Sequence, residues 1–137
     1  MDRPTRLSPT LLIGDALAIL LFAALGRVSH GMELAPAAVV ATAFPFWAAW
    51  FGVGFWLRAL REEAVHAPFS AWKKAALTWL LAWPIALQLR VLLTGRPAPF
   101  SFAANVFAIN LLFLSGWRTI YAWAKGRRQP SDAKVRT

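Results

Sequence analysis

The chain has 137 residues, 58% of them hydrophobic and none of them cysteine, which excludes disulfides, thiolate metal sites and cysteine nucleophiles. Its mean hydropathy of +0.50 lies well above that of a soluble domain. The net charge of +9 does not argue for nucleic acid, because the basic residues gather at the ends of apolar blocks and in the tail rather than on a soluble basic module.

Four apolar blocks lie at about 8–28, 37–57, 72–93 and 100–123, each near the roughly 20 residues that cross a hydrocarbon core. They are apolar on nearly every face, whereas helices of a soluble bundle carry a polar stripe. The expected fold is therefore all-α, an integral membrane four-helix bundle over residues 1–124 with a basic tail at 125–137. Arg3 and Arg6 before the first block give it the look of a signal peptide, but Asp15 within the run and three later spans favour a retained helix. VSHGMELAP supplies the first turn. Pro45 and Pro84 are expected to bend the second and third helices. REEAVHAPFSAWKK reads as a polar loop in which Ser70 caps the third helix. In TGRPAP, Pro97 and Pro99 stop that helix from running into the fourth. The tail KGRRQPSDAKVRT has no apolar periodicity, and disorder or loose attachment to anionic lipid is expected.

Charge sets the expected orientation. Arg3, Arg6, Arg58, Arg61, Lys73, Lys74, Lys125, Arg127, Arg128, Lys134 and Arg136 fall on one side, against Arg27, Arg90 and Arg96 on the other. Positive residues favour the cytoplasm, so both termini and the central loop are expected inside, in the cell (inner) membrane, with anionic headgroups meeting that face.

Asp15 is the sharpest feature. A carboxylate at the centre of a membrane helix costs about 2.5–3.5 kcal/mol on insertion scales, and less toward the end. Arg27 is too far along the same helix to answer it, at roughly 18 Å of rise. Arg118 lies at a matching depth in the fourth helix, and the first and last helices of such a bundle are commonly neighbours. An Asp15–Arg118 ion pair is therefore expected, as a clamp on helix register or, alternatively, as an ionisable centre for proton or ion coupling.

A second polar group is expected toward the other membrane face: Arg27, His30, Glu33, Gln88, Arg90 and Asn105. Its arginines invite an anionic guest or headgroup, or simply snorkel to water while the amides join helices. No metal, cofactor or catalytic residue is expected: His30 and His66 fall on opposite sides, no metal-ligand spacing is present, and neither histidine matches Asp15 in depth. Trp56, Trp72 and Trp123 suit the membrane boundary, while Trp47, Trp50 and Trp83 lie deeper, filling the core or lining a pocket. Ala48-x-x-x-Gly52, Ala82-x-x-x-Ala86 and Ala104-x-x-x-Ala108 suit close helix contact.

Gly14-Asp15, Gly26-Arg27-Val28-Ser29-His30-Gly31, Pro45-Phe46, Arg90 and Gly116-Trp117-Arg118 together resemble an uncharacterised family of small four-span membrane proteins of bacteria and archaea, a domain of unknown function. The resemblance runs from about Leu11 to Trp123. It implies a multi-pass membrane protein and no reaction. Small multidrug transporters also have four spans and one acid in the first, but use glutamate and often lack a strong charge bias, so that likeness stays at fold level. The expected function is a non-catalytic structural or accessory subunit binding a membrane protein partner, a second copy or lipid; the alternative is a small transporter or ligand-binding protein centred on Asp15.

Overall fold

The structure is a computed structural model and describes residues 6–127. It contains α1 (Pro9–Ser29), α2 (Pro36–Trp56), α3 (Pro68–Thr94) and α4 (Phe100–Arg127), with a 3₁₀ turn at Glu62–Val65. All four helices are long and apolar enough to cross a membrane. Among the described residues there is no strand, only an isolated antiparallel bridge between Leu7 and Arg61.

Local chemistry explains the boundaries. The first three helices open on a proline, whose missing N–H would have no partner in a first turn anyway. Ser8 caps α1, its Oγ accepting from the Leu11 N–H at 3.3 Å. The cap expected at Ser70 is not made: α3 starts earlier, at Pro68, after an Ala67 N-cap without a side-chain bond. Ser70 lies inside the first turn instead, its Oγ 3.4 Å from His66 Nε2. At the other end of α3, Gly95 adopts φ +70° and donates its N–H to Val91 O at 2.7 Å.

The helix α2 ends less comfortably. Arg58, at φ 61°, takes the left-handed position usually given to glycine. Its N–H reaches Phe55 O at 3.2 Å and the Ala59 N–H reaches Gly54 O at 2.7 Å, the paired bonds of a Schellman motif. The chain is thereby reversed beneath the bundle.

The helices form a closed ring, with α1 against α2, α2 against α3, α3 against α4, and α4 back against α1. Short connections make consecutive members antiparallel, so the N-terminal end of α1, the C-terminal end of α4 and the 57–67 segment share one end, here the terminal end. The turns at 30–35 and 95–99 form the distal end. Ile19, Phe22, Phe46, Trp50, Trp79, Val106 and Leu114 fill the middle, against Ala75, Ala82 and Ala86 of α3. These alanines let the neighbouring backbones approach. Ala48 and Gly52, and likewise Ala104 and Ala108, face outward.

Two further expectations change. The 57–67 segment is not simply a polar loop, because Ala59, Leu60, Ala64 and Val65 are buried, and Val65 joins Leu11, Ala71 and Ala122 in a small second core. Alternating charge and alanine concealed an apolar inner side. Lys125 and Arg127 belong to α4 rather than to the tail, because Ala122 and Lys125 anchor the last turns to that segment. Arg3 and residues 128–137 of the tail lie outside the described residues.

Candidate functional site

Asp15 and Arg118 are both fully buried and form an ion pair. Asp15 enters from the second turn of α1 and Arg118 from the terminal half of α4. The guanidinium donates Nε–H to Asp15 Oδ1 at 3.0 Å and Nη2–H to Oδ2, the two-pronged geometry that suits arginine to a carboxylate. Two indoles complete the shell: Trp117 Nε1–H donates to Oδ1 at 2.9 Å and Trp50 Nε1–H to Oδ2 at 2.8 Å. Each carboxylate oxygen thus accepts two hydrogen bonds, the full complement of an ionised Asp. The remaining arm of Arg118, Nη1, donates to Ala59 O at 2.7 Å, and the guanidinium lies 5.3 Å from the Trp50 ring centroid. Three helices and the reversed segment after α2 meet at this one carboxylate.

Gly14 makes the arrangement possible. A Cβ at that position would fall 2.3 Å from two ring atoms of Trp117, so the indole reaches Asp15 across a bare backbone.

Below the pair, Glu62 ties the terminal end together. Its Oε1 accepts from Ser8 Oγ at 2.6 Å and from the Tyr121 hydroxyl at 3.1 Å, and its Oε2 accepts from Lys125 Nζ. Ser8 N–H also donates to Leu60 O at 2.8 Å. Burial alone would raise the Glu62 carboxyl, but the hydrogen bonds from Lys125, Ser8 and Tyr121, with the Lys125 charge, hold it below its ordinary value.

The distal polar residues share an end without joining into one network. Arg27 donates Nε–H to the backbone O of Glu33 at 2.7 Å and Nη1–H to Thr42 Oγ1 at 3.1 Å. His30 is the exposed C-cap of α1, and the Glu33 residue is exposed on the following turn. Arg90 stacks over Phe102 across the α3–α4 seam, while Gln88 and Asn105 face outward. Among the described residues, no group of three or more His, Cys, Asp or Glu side chains is placed to hold a metal ion. Two surface grooves, one along α3 and one between α1 and α2, are not lined by Asp15 or Arg118.

A family model described as "Protein of unknown function (DUF3054)" matches residues 12–121. The chain belongs to the DUF3054 family. No curated protein and no solved structure matches it. The DUF3054 match takes in Asp15, Trp50, Ala59, Glu62, Trp117, Arg118 and Tyr121 and leaves out Ser8 and Lys125. What sequence reading missed in this DUF3054 chain are the indole donors. Besides Trp50 and Trp117, Trp47 donates to Ala16 O at 3.1 Å, Trp79 to Phe107 O at 2.9 Å and Trp83 to Ala103 O at 3.0 Å. All five bonds join different helices, and the frequency of Trp on inward faces was the available signal. Glu62 carried no comparable signal, since a glutamate in a charged loop ordinarily faces water.

Proposed function

We propose that this DUF3054 protein is a multi-pass inner-membrane protein with both termini in the cytoplasm, acting as a non-catalytic structural or accessory subunit rather than as a transporter. The observation that carries this reading is the saturation of Asp15. A carboxylate that accepts four N–H bonds, from Arg118, Trp50 and Trp117, has no lone pair left for a cation and no open side toward a pathway. Arg118 is likewise committed, its third arm held by Ala59 O. Such a pair fixes the register of α1 against α4. The crowding of Arg and Lys at the terminal end supports the orientation, and the outward faces of Ala48, Gly52, Ala104 and Ala108 leave close-packing surfaces for a membrane partner or second copy.

The decisive comparison uses single and paired variants. Removing one member of a buried pair costs about 3–5 kcal/mol, whereas replacing both by apolar residues is often neutral. Asp15→Asn and Arg118→Ala are each expected to lower the amount of folded protein extracted from membranes, and Asp15→Leu with Arg118→Met to recover part of it, since Trp50, Trp117 and Ala59 O lose their partners as well. Single variants that accumulate normally but abolish an ion or solute flux in reconstituted vesicles would overturn the structural role. Mass spectrometry of the protein purified from native membranes in mild detergent is expected to find a stoichiometric protein partner or second copy.

A further inference from the structure

Arg90 poses a different problem from Arg118. It sits four residues before the end of α3 at Thr94, about 6 Å from that end along the axis. Its guanidinium lies over the Phe102 ring, 4.3 Å from the centroid. Nη1 is buried and meets no hydrogen-bond acceptor among the described residues. None of the four described acids forms an ion pair with Arg90. Asp15 is saturated by Arg118 and two indoles. Glu62 is held by Lys125 at the terminal end, and Glu63 lies beside it there. Glu33 is exposed on the α1–α2 turn, and no ion pair joins its carboxylate to Arg90. A partly buried cation is thus held in place by an aromatic face and supplied with no anion by the described chain.

The chemistry of that arrangement is specific. An aromatic ring on one face fixes the plane of a guanidinium and leaves its N–H edges free. Those edges match the oxygens of a phosphate or carboxylate two at a time. Arg96, exposed on the adjoining turn, adds the same sign of potential. We propose that Arg90, backed by Phe102 in the distal α3–α4 hairpin, is a one-to-one oxyanion site, and that its occupant is a phosphate group. Shallow placement beneath the helix end is the depth of a lipid headgroup phosphodiester. The lipid source rests on the membrane reading above; the oxyanion chemistry does not.

The test uses the full chain purified in mild detergent and stripped of lipid. Native mass spectrometry follows binding of phosphatidylglycerol, with phosphatidylcholine for comparison, and calorimetry follows inorganic phosphate. One phosphatidylglycerol per chain is expected to bind in preference to phosphatidylcholine. Arg90→Ala is expected to weaken it about tenfold or more, and Arg90→Lys, which keeps the charge without the fork, by less. Lys73→Ala, which removes the same charge at the terminal end, is expected to leave affinity within about twofold. Phe102→Leu removes the aromatic backing and reads the same site if Arg90→Ala fails to fold. Arg90-dependent binding of inorganic phosphate without lipid binding would support the oxyanion site and assign it to a soluble ligand. Absence of one-to-one binding by either probe, or equal binding by wild type, Arg90→Ala and Arg90→Lys, would overturn it.

Discussion

At the scale of single residues, the centre of this protein depends on what Gly14 lacks. The Trp117 ring occupies the space a side chain would need, 2.3 Å from the ideal Cβ position, and the same ring donates to Asp15. Gly14→Ala is therefore expected to displace the indole and cost about 1–3 kcal/mol, as overpacking does elsewhere. Thermal unfolding in detergent checks this; an unchanged midpoint would mean that the ring moves freely. Arg58 carries the opposite liability. Its left-handed backbone costs an L-residue about 1–2 kcal/mol, yet it lies at the reversal that brings Ala59 O to Arg118. Arg58→Gly is expected to stabilise the fold by up to about 1 kcal/mol. A lower unfolding midpoint would assign the Arg58 side chain a role that outweighs its strain.

At the scale of elements, the 57–67 segment behaves as a strap across the terminal end. Its apolar residues face the bundle, and Glu62 gathers Ser8 of the α1 cap with Tyr121 and Lys125 of α4. The Glu62 carboxyl is held below its ordinary value of 4.5, so folding favours the ionised form. That contribution is complete above about pH 4.5, the unfolded value, and is lost as pH falls through the lower folded value. Wild-type protein is expected to lose stability on acidification over that range, and Glu62→Gln to be less stable at neutral pH with a flatter acid limb. Parallel curves for the two proteins would remove Glu62 from the account. The indole bonds work between elements too. Trp47 joins α2 to α1, while Trp79 and Trp83 join α3 to α4. Interhelical hydrogen bonds in membrane proteins average on the order of 0.6 kcal/mol.

At the scale of the whole molecule, ring closure of α4 against α1 brings Asp15 to Arg118 across 103 residues of sequence. The antiparallel succession of four helices puts the described ends of α1 and α4 at one end of the bundle. The chain has no cysteine, so single cysteines are clean probes of orientation. Cysteines at Arg6 and Arg127 are expected to resist a membrane-impermeant thiol reagent in intact cells, whereas one at Arg96 reacts. Labelling in the reverse sense would invert the proposed topology without disturbing the bundle.

Hydrophobic block length and the prolines between blocks determined the number and type of helices, because an apolar run of about 20 residues satisfies its own backbone only as a helix. Depth along those helices pointed to Arg118 as the group able to meet Asp15, since a buried charge requires a partner at its own level. Sequence could not assign the other members of the site. Trp50 and Trp117 bond through an N–H whose direction depends on rotamer and helix rotation, Ala59 contributes only a carbonyl, and Glu62 sits in a segment whose local pattern is that of a solvated loop. The expected cap at Ser70 failed for a local reason, a proline placed to start the helix earlier. The distal residues went the other way: alike in depth, they point to different neighbours, because the rotation of each helix about its axis is set by core packing. Sequence thus determined which residues share a level in the bundle, and tertiary structure alone decided which of them touch.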